Sequence, residues 1–247
     1  MAVHGSDVGG LGDEYAAILK MPKVDADQSK RIATKRAEAV EDKARADSLR
    51  NLQQLKKDCG QRLCPFKTAT IENWQEYDDA MNATLPKLVD YIDDIGSQVA
   101  AGNSIFLIGP PGTGKDHLAI AVAREAVLRL GCSARWLDAA KFRSELRDAI
   151  KSTKDERTTF APYLAAGVLI ISDPVSIGSA LTDYQADCLF RIIDGRYRDL
   201  RPTFITSNVK TQLEAESLLG SQIVDRLSHG GLRLRCSWES FRARGQR

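Results

Sequence analysis

Ser104-Ile-Phe-Leu-Ile-Gly-Pro-Pro-Gly-Thr-Gly-Lys-Asp-His-Leu118 decides the reading of this chain. The apolar run Ile105 to Ile108 predicts a buried parallel strand, Gly109 to Gly114 a loop, and the apolar period from Leu118 to Leu130 a helix. Strand, glycine-rich loop and helix in that order are the setting of a phosphate-binding P-loop. The glycines let backbone N–H groups turn towards phosphate oxygens, while Lys115 and the helix N-terminus add positive charge. The binding candidates are therefore Gly109, Pro110, Pro111, Gly112, Thr113, Gly114, Lys115, Asp116 and His117. One position departs from the pattern: Asp116 stands where a serine or threonine usually ligates Mg²⁺.

Downstream, strand and helix alternate, which predicts a parallel sheet covered on both faces. Ser133 to Leu137 reads as a second strand, and Asp138 as the cap of a helix carrying Phe142 and Leu146. Val168 to Ile171 is the most apolar run and reads as a central strand. Thr182 or Asp183 caps a helix with Tyr184, Cys188, Ile192 and Tyr197 on its inner side. Thr203 to Thr206 is a fourth strand, Leu213 to Leu219 and Ser221 to Leu227 are short helices, and Leu232 to Cys236 is a fifth strand. Upstream, about Leu85 to Ala101 predicts one helix, with Trp74 packing on the core. The expected fold is thus α/β, a P-loop NTPase with a five-stranded parallel sheet flanked by helices.

Asp27 to about Lys57 has high helix propensity, no Gly or Pro, and an excess of Lys and Arg. It predicts a charged helical arm. The expected organisation is 1–67, a leader and partner-docking arm, and 68–247, the nucleotide-binding domain. Residues up to about Asp25 read as a mobile leader. Cys59 and Cys64 offer too few ligands for a structural zinc and read as a free-cysteine turn.

A P-loop ATPase needs acids at the end of a neighbouring strand, one for Mg²⁺ and one to orient water. Here Val168-Leu-Ile-Ile171 runs into Ser172-Asp173-Pro174. One register puts Ser172 at the metal and Asp173 at the water. A slip by one puts Asp173 at the metal and a proline where a base belongs. In the first register the loop carries a carboxylate, Asp116, and the strand a hydroxyl, Ser172. Either the two groups have exchanged places around one Mg²⁺, or Asp116 repels the phosphates and cripples hydrolysis. The metal candidates are Asp116, Ser172 and Asp173. Asn208, closing the fourth strand, can hydrogen-bond a phosphate or water. Arg226 and Arg242 can neutralise transition-state charge.

Five stretches in order resemble the AAA+ ATPases of the DnaC-type helicase loaders and IstB-type transposition helpers. They are Gly109 to Ala119, the strand ending at Asp173, Thr206-Ser-Asn208, Ile223-Val-Asp-Arg226 and Trp238-Glu-Ser-Phe-Arg242. The resemblance implies an AAA+ core without the usual full helical lid, ATP and Mg²⁺ as cofactors, and ATP-dependent self-assembly into a spiral or ring. It implies Asp173 and Asn208 as catalytic groups, Arg226 as a finger across the subunit interface, and Arg242 as a second sensor. It also implies single-stranded DNA binding and delivery of a replicative helicase or a transposase, with the N-terminal arm as the docking element. Turnover is expected to be slow, because Asp173 is one methylene shorter than glutamate. A nucleotide-binding adaptor without catalysis is the alternative from another class.

Composition sets the outer bounds. The 247 residues are 43% hydrophobic, enough for a sizeable core, and carry a net charge of only +2. Charge placement therefore has to carry any argument for nucleic acid. Lys141, Arg143, Arg147, Lys151 and Lys154, with Phe160 and Tyr163 nearby, form one such cluster: either they follow a single strand and stack bases, or they are a solvated face with two core aromatics. No apolar run approaches the roughly 18 residues of a membrane span. Five scattered cysteines and no signal-peptide pattern predict a cytoplasmic protein.

Overall fold

A computed structural model describes residues 26–60, 68–151, 156–175 and 181–244. The leader before Ala26, Cys64 and Lys154 lie outside the described residues, as does the side chain of Lys151. The described elements are α1 (Ala26–Asp58), α2 (Leu85–Asp93), α3 (Ile95–Ala100), β1 (Ile105–Ile108), α4 (Lys115–Leu130), β2 (Ala134–Asp138), α5 (Ala139–Lys151), α6 (Glu156–Ala165), β3 (Val168–Ser172), α7 (Asp183–Arg198), β4 (Thr203–Ser207), α8 (Gln212–Leu219), α9 (Ser221–Ser228) and β5 (Leu232–Arg235). Two 3₁₀ turns, Asp79–Ala83 and Phe241–Arg244, complete the set.

The strands form one parallel sheet in the order β2-β3-β4-β1-β5. β1 lies between β4 and β5, with Ile108 opposite Ser207 on one side and Arg235 on the other. β3 lies between β2 and β4, with Ser172 opposite Asp138 and Thr206. Every residue of β3 and β4 is buried; β3 is accordingly apolar from Val168 to Ile171, while β4 buries Thr203, Thr206 and Ser207 beside Phe204 and Ile205. Successive side chains point to opposite faces. Val168 and Ile170 pack with α2, α3 and α4, while Leu169 and Ile171 pack with α5 to α9.

Local signals behave as their chemistry dictates. The Asp138 carboxylate accepts from Lys141 N–H at 2.7 Å and starts α5. Thr182 and Gln185 form a reciprocal capping box at α7. Gly131, at φ 66°, ends α4. Two expectations need correction. The helix expected over Leu85 to Ala101 is two helices, broken at Asp94, whose backbone sits at φ −102°, ψ 28°. Tyr197, expected on the inner side of α7, is 38% exposed and stacks edge-on against His229 instead.

The interior also holds a charge. Arg196 is fully buried and donates to the carbonyls of Tyr163 and Ala166 at 2.7 Å, to Pro202 at 2.6 Å and to Thr203 Oγ1 at 3.0 Å. Its planar fork donates to several carbonyls at the end of α6 and just before β4, so the buried charge is spread over fixed dipoles.

The chain divides into two units, residues 1–44 and 45–247. In the first, the described side chains from Lys30 to Ala44 are exposed. In the second, the last turns of α1 belong to the packed body. Leu55 is 2% exposed, and Asn51 donates to the Gly131 carbonyl at 3.1 Å. Asp58 accepts from Arg135 Nε at 2.5 Å, from Trp136 N–H at 3.2 Å and from Lys141 Nζ at 3.3 Å. Burial alone would raise the Asp58 pKa. The Arg135 hydrogen bond, the charges of Lys141 and Arg135, and the Trp136 N–H outweigh it and hold the carboxyl below its usual 3.8.

Asp58→Asn is expected to cost about 2 kcal/mol at neutral pH, as when one partner of a largely buried ion pair is removed. Because the folded pKa is depressed, that contribution is full above about pH 4 and is lost as pH falls through the folded value. Denaturant unfolding of wild type and variant checks this: the gap should shrink in acid, and a gap independent of pH would contradict it.

Candidate functional site

β1 ends at Ile108 and the loop opens with Gly109 at φ 148°. A Cβ there would stand 2.1 Å from the Cys236 carbonyl oxygen, so only glycine lets the loop pass the chain leaving β5. At the other end Gly114 caps α4 in the left-handed region at φ 82°, and a Cβ would meet the Trp74 ring at 2.6 Å. The backbone is thus shaped as a cradle closed from outside by aromatic side chains. Lys115 lies inside the curve, 6% exposed. Its ammonium donates to the carbonyls of Gly109 at 2.8 Å and Pro110 at 2.7 Å, and to Asn208 Oδ1 at 3.0 Å. Burial lowers its pKa, and the neighbouring Cys236, Asp116 and Asp173 oppose that shift.

Two acids on different elements lie close enough for their charges to act on this lysine. Asp116, in the first turn of α4, accepts on one oxygen from Ser172 Oγ at 2.9 Å and Thr206 Oγ1 at 2.6 Å. Asp173, just past β3, takes a positive φ of 49°, rare for a residue with a Cβ. Its carboxylate accepts from Asn208 N–H at 3.2 Å and from the Asn208 side-chain amide. Asn208 therefore links Asp173 to Lys115. Burial raises the Asp173 pKa, as does the Asp116 charge, while the Asn208 N–H and Lys115 pull it back.

Around the loop lies a cavity of about 590 Å³. Its lining includes the loop from Pro111 to His117, Asp173, Thr206, Asn208 and Arg242, all but Thr206 expected as site residues. It also includes Asn73, Trp74, Gln75, Tyr77 and Phe241, which the sequence reading did not assign to the site. The C-terminal segment is pinned to the loop: Trp238 Nε1 donates to the Thr113 carbonyl at 2.8 Å, and Phe241 N–H to the Gly112 carbonyl at 2.9 Å. Tyr77 donates from its hydroxyl to the Glu239 carbonyl at 2.8 Å and packs on Phe241. His117 bonds the Thr70 carbonyl through Nε2 at 2.9 Å and stacks edge-on with Trp74, a structural role at the helix start. The signal for the missed group was the clustering of Trp74 and Tyr77 in a chain with only three tryptophans.

The remaining candidates lie elsewhere. Arg226, on α9, donates to Asp194 Oδ1 at 2.6 Å and lies 4.7 Å over the Phe190 ring, outside the loop cavity of its own chain. Lys141 is held by Asp58 and lies 5.6 Å over the Tyr163 ring. Arg147 is exposed. Phe160 and Tyr163 are 6% and 1% exposed and belong to the core beside Phe142 and Leu169, so of the two readings the base-stacking one is corrected and the core one holds for both rings.

The donor set suits the ligands that the loop predicts. Backbone amides and an ammonium suit phosphate oxygens. An all-oxygen group of one carboxylate and two hydroxyls suits a hard cation such as Mg²⁺, which takes few protein ligands beside phosphates. Trp74 Nε1 is buried at the cavity with no hydrogen-bond partner among the described residues.

A P-loop after β1, one acid after β3 and a polar residue after β4, at one edge of a parallel sheet, define a P-loop ATP-binding module. The chain belongs to the IstB-like ATP-binding protein family, whose sequence profile matches residues 37–247. It is 29% identical over 180 residues to the replicative helicase loader DnaC of Escherichia coli K12, covering 72% of this chain and 71% of that one. It is 32% identical over 148 residues to a protein of insertion sequence IS5376 from Geobacillus stearothermophilus, described as ATP-binding, covering 58% and 57%. The crystal structure of the DnaC helicase loader matches the fold with a TM-score of 0.61 at 23% identity, covering 69% of this chain and 97% of that one. Among the described residues no helix is long and apolar enough to cross a membrane.

Titrating ATP is expected to change tryptophan emission, because Trp74 borders the cavity. Trp74→Phe should remove most of that change while calorimetry still detects binding. An unaltered emission change in Trp74→Phe would contradict the assignment of Trp74 to the ATP site.

Proposed function

We propose that this chain is an ATP-switched loader that delivers a replicative DNA helicase to single-stranded DNA. The observation that carries the reading is the similarity to the E. coli loader over 72% of the chain, with the loop and its polar partners assembled around one cavity. Bound ATP supplies a polyanion that rewards self-assembly and an anhydride bond that hydrolysis can spend. Lys115 and the loop amides bind the phosphates. Asp173, held by Asn208, is the group that accepts a proton from the attacking water. Arg242, on the cavity wall, neutralises phosphate charge from within the subunit. Arg226 leaves Asp194 to reach the nucleotide of a neighbouring subunit, which makes turnover depend on assembly.

In this reading residues 1–67 are the partner-docking arm and 68–247 the ATP-binding domain, with residues 45–58 already packed in the body. The protein acts in the cytoplasm. Arg143, Arg147 and Lys151 on α5, and Lys154 beyond it, are the cations that would follow single-stranded DNA, together with Lys141, whose ammonium also pairs with Asp58. A second reading, a transposase regulator on duplex DNA, is favoured by the 32% identity to the insertion-sequence protein. Co-purification of full-length chain with a replicative helicase or with a transposase, with and without ATP, separates the two.

Asp173→Ala is expected to lower DNA-stimulated ATP turnover by about 100-fold, the scale of losing a general base. Arg226→Ala should be comparably inactive, and mixing the two variants should restore part of the activity because each supplies what the other lacks. Phosphate release by the single variants and their mixture checks this, and a mixture as inactive as its components would contradict the shared site.

A further inference from the structure

The contact between Asp116 and Ser172 inverts the usual chemistry of its two positions. In P-loop NTPases the residue after the loop lysine is a hydroxyl ligand of Mg²⁺, and the carboxylate beside it comes from the strand. Here the carboxylate sits on α4 and the hydroxyl on β3, and the two touch at 2.9 Å. Thr206 on β4 adds a second hydroxyl donor to the same Asp116 oxygen at 2.6 Å. Both donors are buried, Ser172 at 6% and Thr206 at 1% exposure. A carboxylate with two fixed donors on one oxygen is held in one orientation, with its second oxygen left for another partner.

We propose that the Mg²⁺-binding carboxylate of this chain has moved from strand to loop, with Asp116 as the metal ligand and Ser172 and Thr206 as the hydroxyls that orient it. The inference rests on the reading of the loop as an ATP site. The exchange conserves what the metal needs, oxygen ligands and one protein negative charge. It changes what happens without metal. A hydroxyl after the loop lysine is neutral towards the triphosphate, but Asp116 is an anion on the same helix turn. Asp116 therefore opposes nucleotide in the absence of Mg²⁺ and favours it in its presence. Occupancy becomes steeply dependent on the metal, so that this protein discriminates Mg²⁺-ATP from free ATP more sharply than a hydroxyl-bearing loop does.

The opposing account, in which Asp116 is only a repulsive defect, predicts the other sign once metal is present, and this decides the test. ATP affinity is measured by calorimetry for full-length wild type, Asp116→Thr, Ser172→Asp and the double variant, in millimolar Mg²⁺ and in EDTA. Thermal unfolding confirms that each is folded. Expected in EDTA is tighter binding by Asp116→Thr than by wild type. Expected in Mg²⁺ is the reverse, a loss of about tenfold for Asp116→Thr, the scale of one charge-assisted ligand. The double variant, with hydroxyl and carboxylate back in the usual places, should regain most of the Mg²⁺-dependent increment. Tighter binding by Asp116→Thr in both conditions would overturn the proposal. So would a double variant no better in Mg²⁺ than the worse single one. A wild type that binds no ATP in either condition would instead sink the ATP-site reading itself.

Discussion

The ammonium of Lys115 holds the site together. One side chain bridges the carbonyls that open the loop to the amide that closes β4, and through Asn208 it reaches the acid that follows β3. Three strands therefore converge on a single buried charge. Such a charge is tolerated only where dipoles and anions surround it. That requirement explains why the polar residues after β3 and β4 stand where they do. The parallel register makes it possible, because it brings the carboxyl ends of β1, β3 and β4 to one edge of the sheet.

The site is also a crossing point for distant parts of the chain. The segment from Thr70 to Tyr77 meets Trp238 to Phe241 over the loop and the start of α4. Trp74 stacks edge-on with both His117 and Trp238. A ligand that shifts the loop must therefore move segments that precede and follow the sheet.

Much of this was legible because it is local. The glycine spacing, the apolar strand runs, and the caps at Asp138 and Thr182 depend on residues a few positions apart, and each lies where the spacing predicts. Asp116 and Ser172 could be paired as departures from one motif, but their direct hydrogen bond is a contact that only the fold shows. What sequence could not show depends on contacts across the fold. Asp58 meets Arg135 over a separation of 77 residues. Arg196 sits in the charged run Arg196-Tyr-Arg-Asp-Leu-Arg201 and looks like surface, yet it alone of that run's arginines is fully buried, where the carbonyls of Tyr163, Ala166 and Pro202 accept from it. Phe160 and Tyr163 lie near basic residues in sequence but face the sheet. Composition cannot tell a ring that stacks on a ligand from one that stacks on its own core.

The central claim is that the loop from Gly109 to Lys115 holds a triphosphate and that Lys115 governs its affinity. Calorimetric titration of Mg²⁺-ATP into wild type and Lys115→Ala tests it most directly. The account predicts saturable binding by wild type at one site per chain and at least a tenfold loss in the variant, the scale of one buried charge-assisted contact. Equal affinity in the two proteins, or no heat of binding in wild type, would contradict it.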